Sequence, residues 1–345
     1  MKAIQLFGKN ELKLVELPKP EIQPNEILLA CKAGAICGTD LRMYANGHRN
    51  SPHALTLGHE LSGVIEEIGS EVSGAYFRGM RVAVAPNYGC GVCDSCISGN
   101  TQSCKDFQAL GIQKHGAFAE YVVIPARAVR QGNIVELPDH VSFEEGAMIE
   151  PFSCVYNAFE RCHTQVGDTV LVIGAGPIGL MHALLHKAAG AGKVLISDIN
   201  PERLALACEF DPTFIPVSGT NTKADVMRIT QDRGCDVVIT AASTPEIQTL
   251  SFELTALNGR VLFFGGLPAG KEMVSLNTNI IHYRQISVTG MSGQNLRQYR
   301  ASLKMVANGQ INLKKILTHT FSLEQYQQAF TCAKSGNALK AGFVL

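Results

Sequence analysis

The stretch "VLVIGAGPIGL" restricts what this chain can fold into more than any other. It sets Gly174, Gly176 and Gly179 as G-x-G-x-x-G directly after an apolar strand pattern and at the head of a helical one. In that context Gly174 permits a tight turn, Gly176 lets backbone approach a pyrophosphate, and Gly179 lets helix and strand pack closely. Pro177 and Ile178 open the helix, whose first amides and dipole face an anion. A glycine-rich turn that binds nothing is the plain alternative. Asp198 weighs against it, because it closes the second strand nineteen residues past Gly179. A carboxylate there accepts hydrogen bonds from ribose hydroxyls and repels a ribose phosphate, so the pattern favours NAD over NADP. Arg203 caps the adenine side or is a solvated helix charge.

Around this motif the chain alternates strands and helices from about residue 165. "KVLISD", "CDVVITAAS" and "RVLFFGG" read as strands, "NPERLALACEF" and "PEIQTLSFELTALN" as helices. That rhythm predicts a doubly wound parallel sheet, hence an α/β class. The first 150 residues differ. Short β-like runs such as "EILLACKAGAI", "LSGVIEEIG" and "MRVAVAP", separated by glycine and proline, predict a sandwich or barrel-like domain. With 345 residues, two domains are expected.

Thirty basic and thirty acidic residues cancel, and no basic stripe marks a nucleic-acid or membrane partner. The N-terminus has no signal-peptide pattern, and the longest apolar run is broken by glycines, a proline and charged or histidine residues. The expected location is therefore the cytoplasm. That bears on the eleven cysteines, an odd number in a chain expected to stay reduced. Cys90, Cys93, Cys96 and Cys104, spaced C-x2-C-x2-C-x7-C, suit a closed four-thiolate zinc site. An iron–sulfur cluster also takes four thiolates, but ferredoxin spacings differ. Cys31, Cys162, Cys208, Cys235 and Cys332 read as small apolar residues.

A second donor set is scattered: Cys37 in "ICGTD", His59 and Glu60 in "LGHE", and Glu150 in "MIEPFSC". A catalytic zinc takes three protein ligands and keeps one position open. Cys37, His59 and Glu150 offer S, N and O, while Glu60 binds directly or holds a water. Spacing alone does not bring Glu150 to Cys37.

Together "CGTD", "GHE", the four-cysteine lobe, "GAFAEYV", "EPFSC", "GAGPIG" with Asp198 and the late "THTFSLEQ" resemble the zinc-containing medium-chain dehydrogenase/reductase family. The resemblance spans essentially the whole chain and points to the sorbitol (polyol) branch. It implies a GroES-like catalytic domain from residues 1–155 and 291–345, a Rossmann NAD-binding domain from 156–290, and an active site in the cleft between them. It also implies a homodimer or homotetramer. By motif, Cys37, His59 and Glu150 match the catalytic zinc ligands, Glu150 being the polyol-branch variant. Glu60 matches the glutamate beside the ligand histidine, Thr39 the residue that hydrogen-bonds the substrate hydroxyl, and the lobe cysteines a structural zinc. The implied reaction is oxidation of a secondary alcohol of a polyol, sugar alcohol or sugar acid. Its proton leaves through Thr39 or a water held by Glu60 or Glu150, and its hydride goes to NAD. A phosphorylated sugar alcohol is the rival substrate. A silent NAD(H)-binding protein is the rival function, and the full ligand set argues against it.

Departures remain. Where some alcohol dehydrogenases carry a relay histidine, this chain has Arg42, and nearby His48 reads as a loop residue. The branch's Arg–Tyr pair has no counterpart at "GMSGQNLRQYR", where Arg297 and Tyr299 fall in a helical pattern. Tyr44 and Phe118 line the substrate pocket by resemblance or are core aromatics. Cys154, one turn beyond Glu150, is an alternative ligand.

Overall fold

The computed structural model describes residues 1–47, 54–336 and 338–345. They form two compact units: Met1–Ser153 with Gln294–Leu345, and Cys154–Gly293.

The second unit is built on six parallel strands. Their order is Ile215–Ser218, Lys193–Asp198, Thr169–Ile173, Cys235–Thr240, Thr255–Phe263 and Ser287–Gly290. The strand Thr169–Ile173 is buried at every position, as expected of a parallel strand covered on both faces. The chain runs outward from it in one direction, then returns to its other side at Cys235–Thr240. The strand order therefore reverses at the end of Thr169–Ile173, the place where such sheets take ligands. Leu171, Leu195, Val217, Val226, Val238 and Leu254 fill one face of the core.

The helix expected over "PEIQTLSFELTALN" is shorter than the sequence pattern suggests. It ends at Glu253, and "TALN" opens the strand Thr255–Phe263. β-Branched Thr255 pairs with Cys235 there, and Asn258 takes a positive φ of 59° beside Gly259, which a helix does not accommodate.

In the first unit a seven-stranded sheet centres on Ile27–Ala35. This strand pairs antiparallel with Glu60–Ile68, Tyr121–Ile124 and the last strand of the chain, Lys340–Val344. Ala35 faces Glu60 on one side and Gly342 on the other. Three segments far apart in sequence thus meet at one end of one strand. A three-stranded sheet, Glu11–Glu16, Lys2–Gly8 and Leu55–Thr56, packs a second core with Phe118, Phe330 and Phe343. Among the described residues no helix is long and apolar enough to cross a membrane.

Candidate functional site

Cys37 is the N-cap of the helix Gly38–Asn46. Its backbone N–H donates to Asp40 Oδ2 at 2.8 Å, and its sulfur accepts from the backbone of Asp40, a reciprocal cap that fixes the direction of the thiol. His59 and Glu60 enter from "LGHE". Gly58 has φ +96°, and a Cβ there would stand 2.5 Å from the Phe118 ring, so this turn onto the sheet needs glycine. The result is one donor atom each from Cys37, His59 and Glu60, all within 4.8 Å of one another.

Each of these residues is held by a second, buried group. Asp40 Oδ1 lies 3.6 Å from His59 Nδ1. Burial opposes charge on His59, but Asp40 and Cys37 outweigh it and hold the imidazole pKa well above its usual value. Lys340 Nζ donates to Glu60 Oε1 at 2.7 Å, and both side chains are almost completely buried. Burial pulls on the lysine in the opposite direction, yet Glu60 and Cys37 raise it to about 12. Glu60 Oε2 is buried with no hydrogen-bond partner. A buried carboxylate oxygen facing a thiol and an imidazole is the signature of a cation site, because leaving it unpaired is costly.

Glu150 is buried beside this set but outside the group within 4.8 Å. Gln294 Nε2 donates to its Oε1 at 3.1 Å, and Asn87 Nδ2 donates to Gln294 Oε1 at 3.1 Å. Burial pushes the Glu150 carboxyl up to about 7, against the pull of His59 and with the push of Glu60. The structure therefore gathers Cys37, His59 and Glu60, with Glu150 close enough to feel their charges.

Sulfurs of Cys90, Cys93, Cys96 and Cys104 also lie within 4.8 Å of one another. Cys90 and Cys96 are 3.9 Å apart, Cys93 and Cys104 3.7 Å. A tetrahedron with zinc–sulfur bonds of about 2.3 Å has an edge of about 3.8 Å, so these thiols stand where zinc would place them. The N–H groups of Val92 and Cys93 point at the Cys90 sulfur and draw its pKa down to about 6. Cys154 belongs to neither cluster.

In the second unit Gly174 has φ +112°, and a Cβ on Gly179 would stand 1.7 Å from the Gly174 carbonyl oxygen. A Cβ on Gly176 would meet nothing within 4 Å, so the turn is open on the side where a phosphate would lie. Gly176 caps the helix Pro177–Ala188, with Pro177 at its first position and Ile178 half-buried behind it. Asp198 Oδ2 accepts from Ala175 N at 2.7 Å and Oδ1 from Asn200 N at 2.9 Å. The carboxylate thus also pins the glycine turn, and each oxygen retains a lone pair for a ligand hydroxyl. Arg203 sits in the first turn of the helix Pro201–Phe210, capped by Asn200.

Thr39 Oγ1 accepts from Arg42 Nη2 at 2.9 Å. Tyr44 is partly buried against Phe330, with ring centroids 5.7 Å apart. Phe118 takes the core alternative: it is 0% exposed and packs edge-on to Phe343 at 4.8 Å. Tyr299 is also fully buried, in the helix Leu296–Ala307 that carries Arg297. His48 lies outside the described residues. A cavity of about 440 Å³ lined by Leu17, Pro18, Thr56, His115 and Tyr121 contains none of the clustered residues and lies apart from this site.

Asp40, Gln294 and Lys340 were not singled out from the sequence. The aspartate of "CGTD" is a visible signal; the lysine opening "KAGFVL" reads as a solvated strand end, and Gln294 carries no signal.

Residues 23–139 match the family model for the alcohol dehydrogenase GroES-like domain, and residues 177–308 that for zinc-binding dehydrogenases. Sorbitol dehydrogenase of Bacillus subtilis (strain 168) is 34% identical over 334 residues, covering 95% of this chain and 92% of the relative. A Sinorhizobium meliloti 1021 protein solved with NADP bound superposes with a TM-score of 0.91 at 29% identity, over 100% of this chain and 99% of that one. An Escherichia coli CFT073 alcohol dehydrogenase complexed with NADH gives 0.90 at 28% identity, with the same coverage.

Proposed function

Because this chain belongs to the zinc-containing medium-chain dehydrogenase/reductase family, whose members are nicotinamide-dependent oxidoreductases, we propose that it oxidises a secondary alcohol of a polyol, sugar alcohol or sugar acid. The observation that carries this reading is the convergence of Cys37, His59 and Glu60 around an unpartnered carboxylate oxygen. Cys37 and His59, with Glu60 or Glu150, would hold zinc, which when bound acidifies a nearby hydroxyl. Asp40 orients the His59 ring and Gln294 restrains Glu150, so the donors need little rearrangement. Thr39 would accept the alcohol proton's hydrogen bond while its own hydroxyl is steadied by Arg42. Its hydroxyl is too weak a base to act alone, so the proton passes on to water. The four-thiol lobe would hold a second, structural zinc, which suits a reducing, cytoplasmic setting.

NAD is the favoured oxidant, because the negative charge of Asp198 stands where a ribose phosphate would carry its own. Kinetics with both dinucleotides test this, and Asp198→Ala should raise relative use of NADP at least tenfold. A homodimer or homotetramer is supported by the open edge strand Ser287–Gly290 and exposed Tyr283; light scattering measures it.

The function is tested by following NAD reduction over polyols, their phosphates and sugar acids with zinc present. Cys37→Ser should abolish oxidation while dinucleotide binding persists. Full turnover by that variant after zinc removal would sink the proposal.

A further inference from the structure

We propose that Arg42 is an anion anchor, and that the substrate carries a carboxylate or phosphate within about three carbons of the hydroxyl that is oxidised. This rests on the alcohol-oxidising reading above, in which Thr39 meets the reacting hydroxyl, and it narrows which alcohols fit.

Arg42 lies one helical turn beyond Thr39 and folds back over the start of the helix Gly38–Asn46. Its Nη2 donates to Thr39 Oγ1 at 2.9 Å, and its Nη1 lies 3.9 Å from where a Cβ on Gly38 would be. That is ordinary van der Waals distance, so the guanidinium lies over the first turn of the helix without crowding it. The side chain is exposed, and a guanidinium has five N–H donors, so most remain available to a ligand.

Arg42 also has no counter-ion among the described residues: no carboxylate forms an ion pair with it. Asp40, the one acid in its helix, is fully buried and committed to Cys37 and His59. The residues that follow the helix outside the described range, "HRNSPH" at 48–53, include no acid at all. A cation kept unpaired at the head of a nine-residue helix, where the dipole adds positive potential, is suited to an incoming anion. Carboxylate and phosphate are the groups a planar guanidinium binds in a fork; a neutral polyol offers it only hydroxyl oxygens.

The same geometry sets the spacing. Reacting oxygen, Thr39 Oγ1, Arg42 Nη2 and anionic oxygen form a bent chain of hydrogen bonds of about 2.8 Å each, which separates its ends by roughly 4–7 Å. That span fits a 3- or 4-hydroxy carboxylate or a phosphate ester on a neighbouring carbon. It is too short for an anion at the far end of a hexitol chain.

The test uses the full chain loaded with zinc and compares alcohols of one carbon skeleton: alditol, aldonate and alditol phosphate. The wild type should have its highest kcat/KM on an anionic member, and whether aldonate or phosphate leads tells the two sources apart. Arg42→Gln should lower the anionic-to-neutral ratio by about 10- to 150-fold, mainly through KM, and Arg42→Lys should restore part of it. Calorimetric titration of the same aldonate and alditol phosphate should show weaker binding in Arg42→Gln, independent of turnover. The anchor is overturned if the wild type does not prefer anions or the variant keeps the ratio. A shift of the dinucleotide KM in place of the ratio also overturns it, by assigning Arg42 to the cofactor's phosphates. Anion binding lost in Arg42→Gln with no alcohol oxidised by either protein would support the anchor while removing the dehydrogenase reading.

Discussion

Lys340→Met is the perturbation whose outcome the structure constrains most closely. The lysine is 7% exposed and Glu60 0%, with Nζ and Oε1 2.7 Å apart, and Met keeps the length of the stem without the charge. Taking one partner from a buried pair leaves the other charge uncompensated, at about 3–5 kcal/mol. For a chain of this size that is a fall in melting temperature of roughly 4–7 °C. Glu60→Gln combined with Lys340→Met removes both charges, so the double variant should recover more than half of the loss. Zinc alters the magnitude in a predictable direction. Glu60 sits in the donor group with Cys37 and His59, so a bound dication replaces part of what the lysine supplies. The variant should therefore lose less stability when zinc-loaded than when zinc-free. By linkage that difference reappears as tighter zinc binding, tenfold for each 1.4 kcal/mol or so. Calorimetric melts of the four proteins, with and without zinc, measure all of these quantities. Equal losses in both states, or a double variant no better than Lys340→Met, would show that the pair does not balance charge at this cluster.

Three further outcomes are expected. Gly179→Ala puts a methyl group 1.7 Å from the Gly174 carbonyl oxygen and should destabilise the second unit by more than about 3 kcal/mol in urea titrations, whereas Gly176→Ala, whose Cβ meets open space, should fold normally and lose NADH affinity in fluorescence titration. His182 and His186 are buried without charge: burial lowers His186 to about 3, and burial together with His186 keeps His182 well below its usual value. Their folded pKa values lie below the unfolded value of about 6.5, so stability is intact above that pH and lost as pH falls from there toward 3. His182→Leu, which removes a ring whose nitrogens have no hydrogen-bond partner, should flatten that slope by about 1.4 kcal/mol per pH unit; an unchanged slope in pH-dependent melts refutes the assignment. Cys96→Ser should release one zinc per chain, measured by metal analysis, and lower the melting temperature while the Cys37 cluster keeps its metal.

How much of this was legible in the sequence follows from the range of the interactions involved. The glycine turn was fully legible, because its steric demands are local: a carbonyl at one position excludes a side chain five residues on. The thiol lobe was legible for the same reason, since four sulfurs within fifteen residues can close on one ion wherever the loop lies. The sequence pattern extends the helix through "TALN" because Ala256 and Leu257 suit a helix locally. Pairing of Thr255 with Cys235 across the sheet decides otherwise. Phe118 reads equally as wall or core until Gly58 and Gly34 are seen to close on its ring.

The supporting groups of the donor cluster were the least legible, and the sheet explains why. Glu60 and Gly342 meet only because both flank Ala35, so the lysine that neutralises Glu60 comes from a strand 280 residues away. No periodicity within either segment encodes that neighbour. Local pattern would assign Lys340 to a solvated strand end, yet it is among the most buried cations in the chain. The cost of burying it is offset by Glu60, and Glu60 is itself tolerable inside the fold only with that ammonium or a metal beside it. The placement of Lys340 is thus a consequence of the donor cluster and not of its own strand. Replacing it alone should expose the cluster's charge imbalance more sharply than any change in the surrounding apolar core.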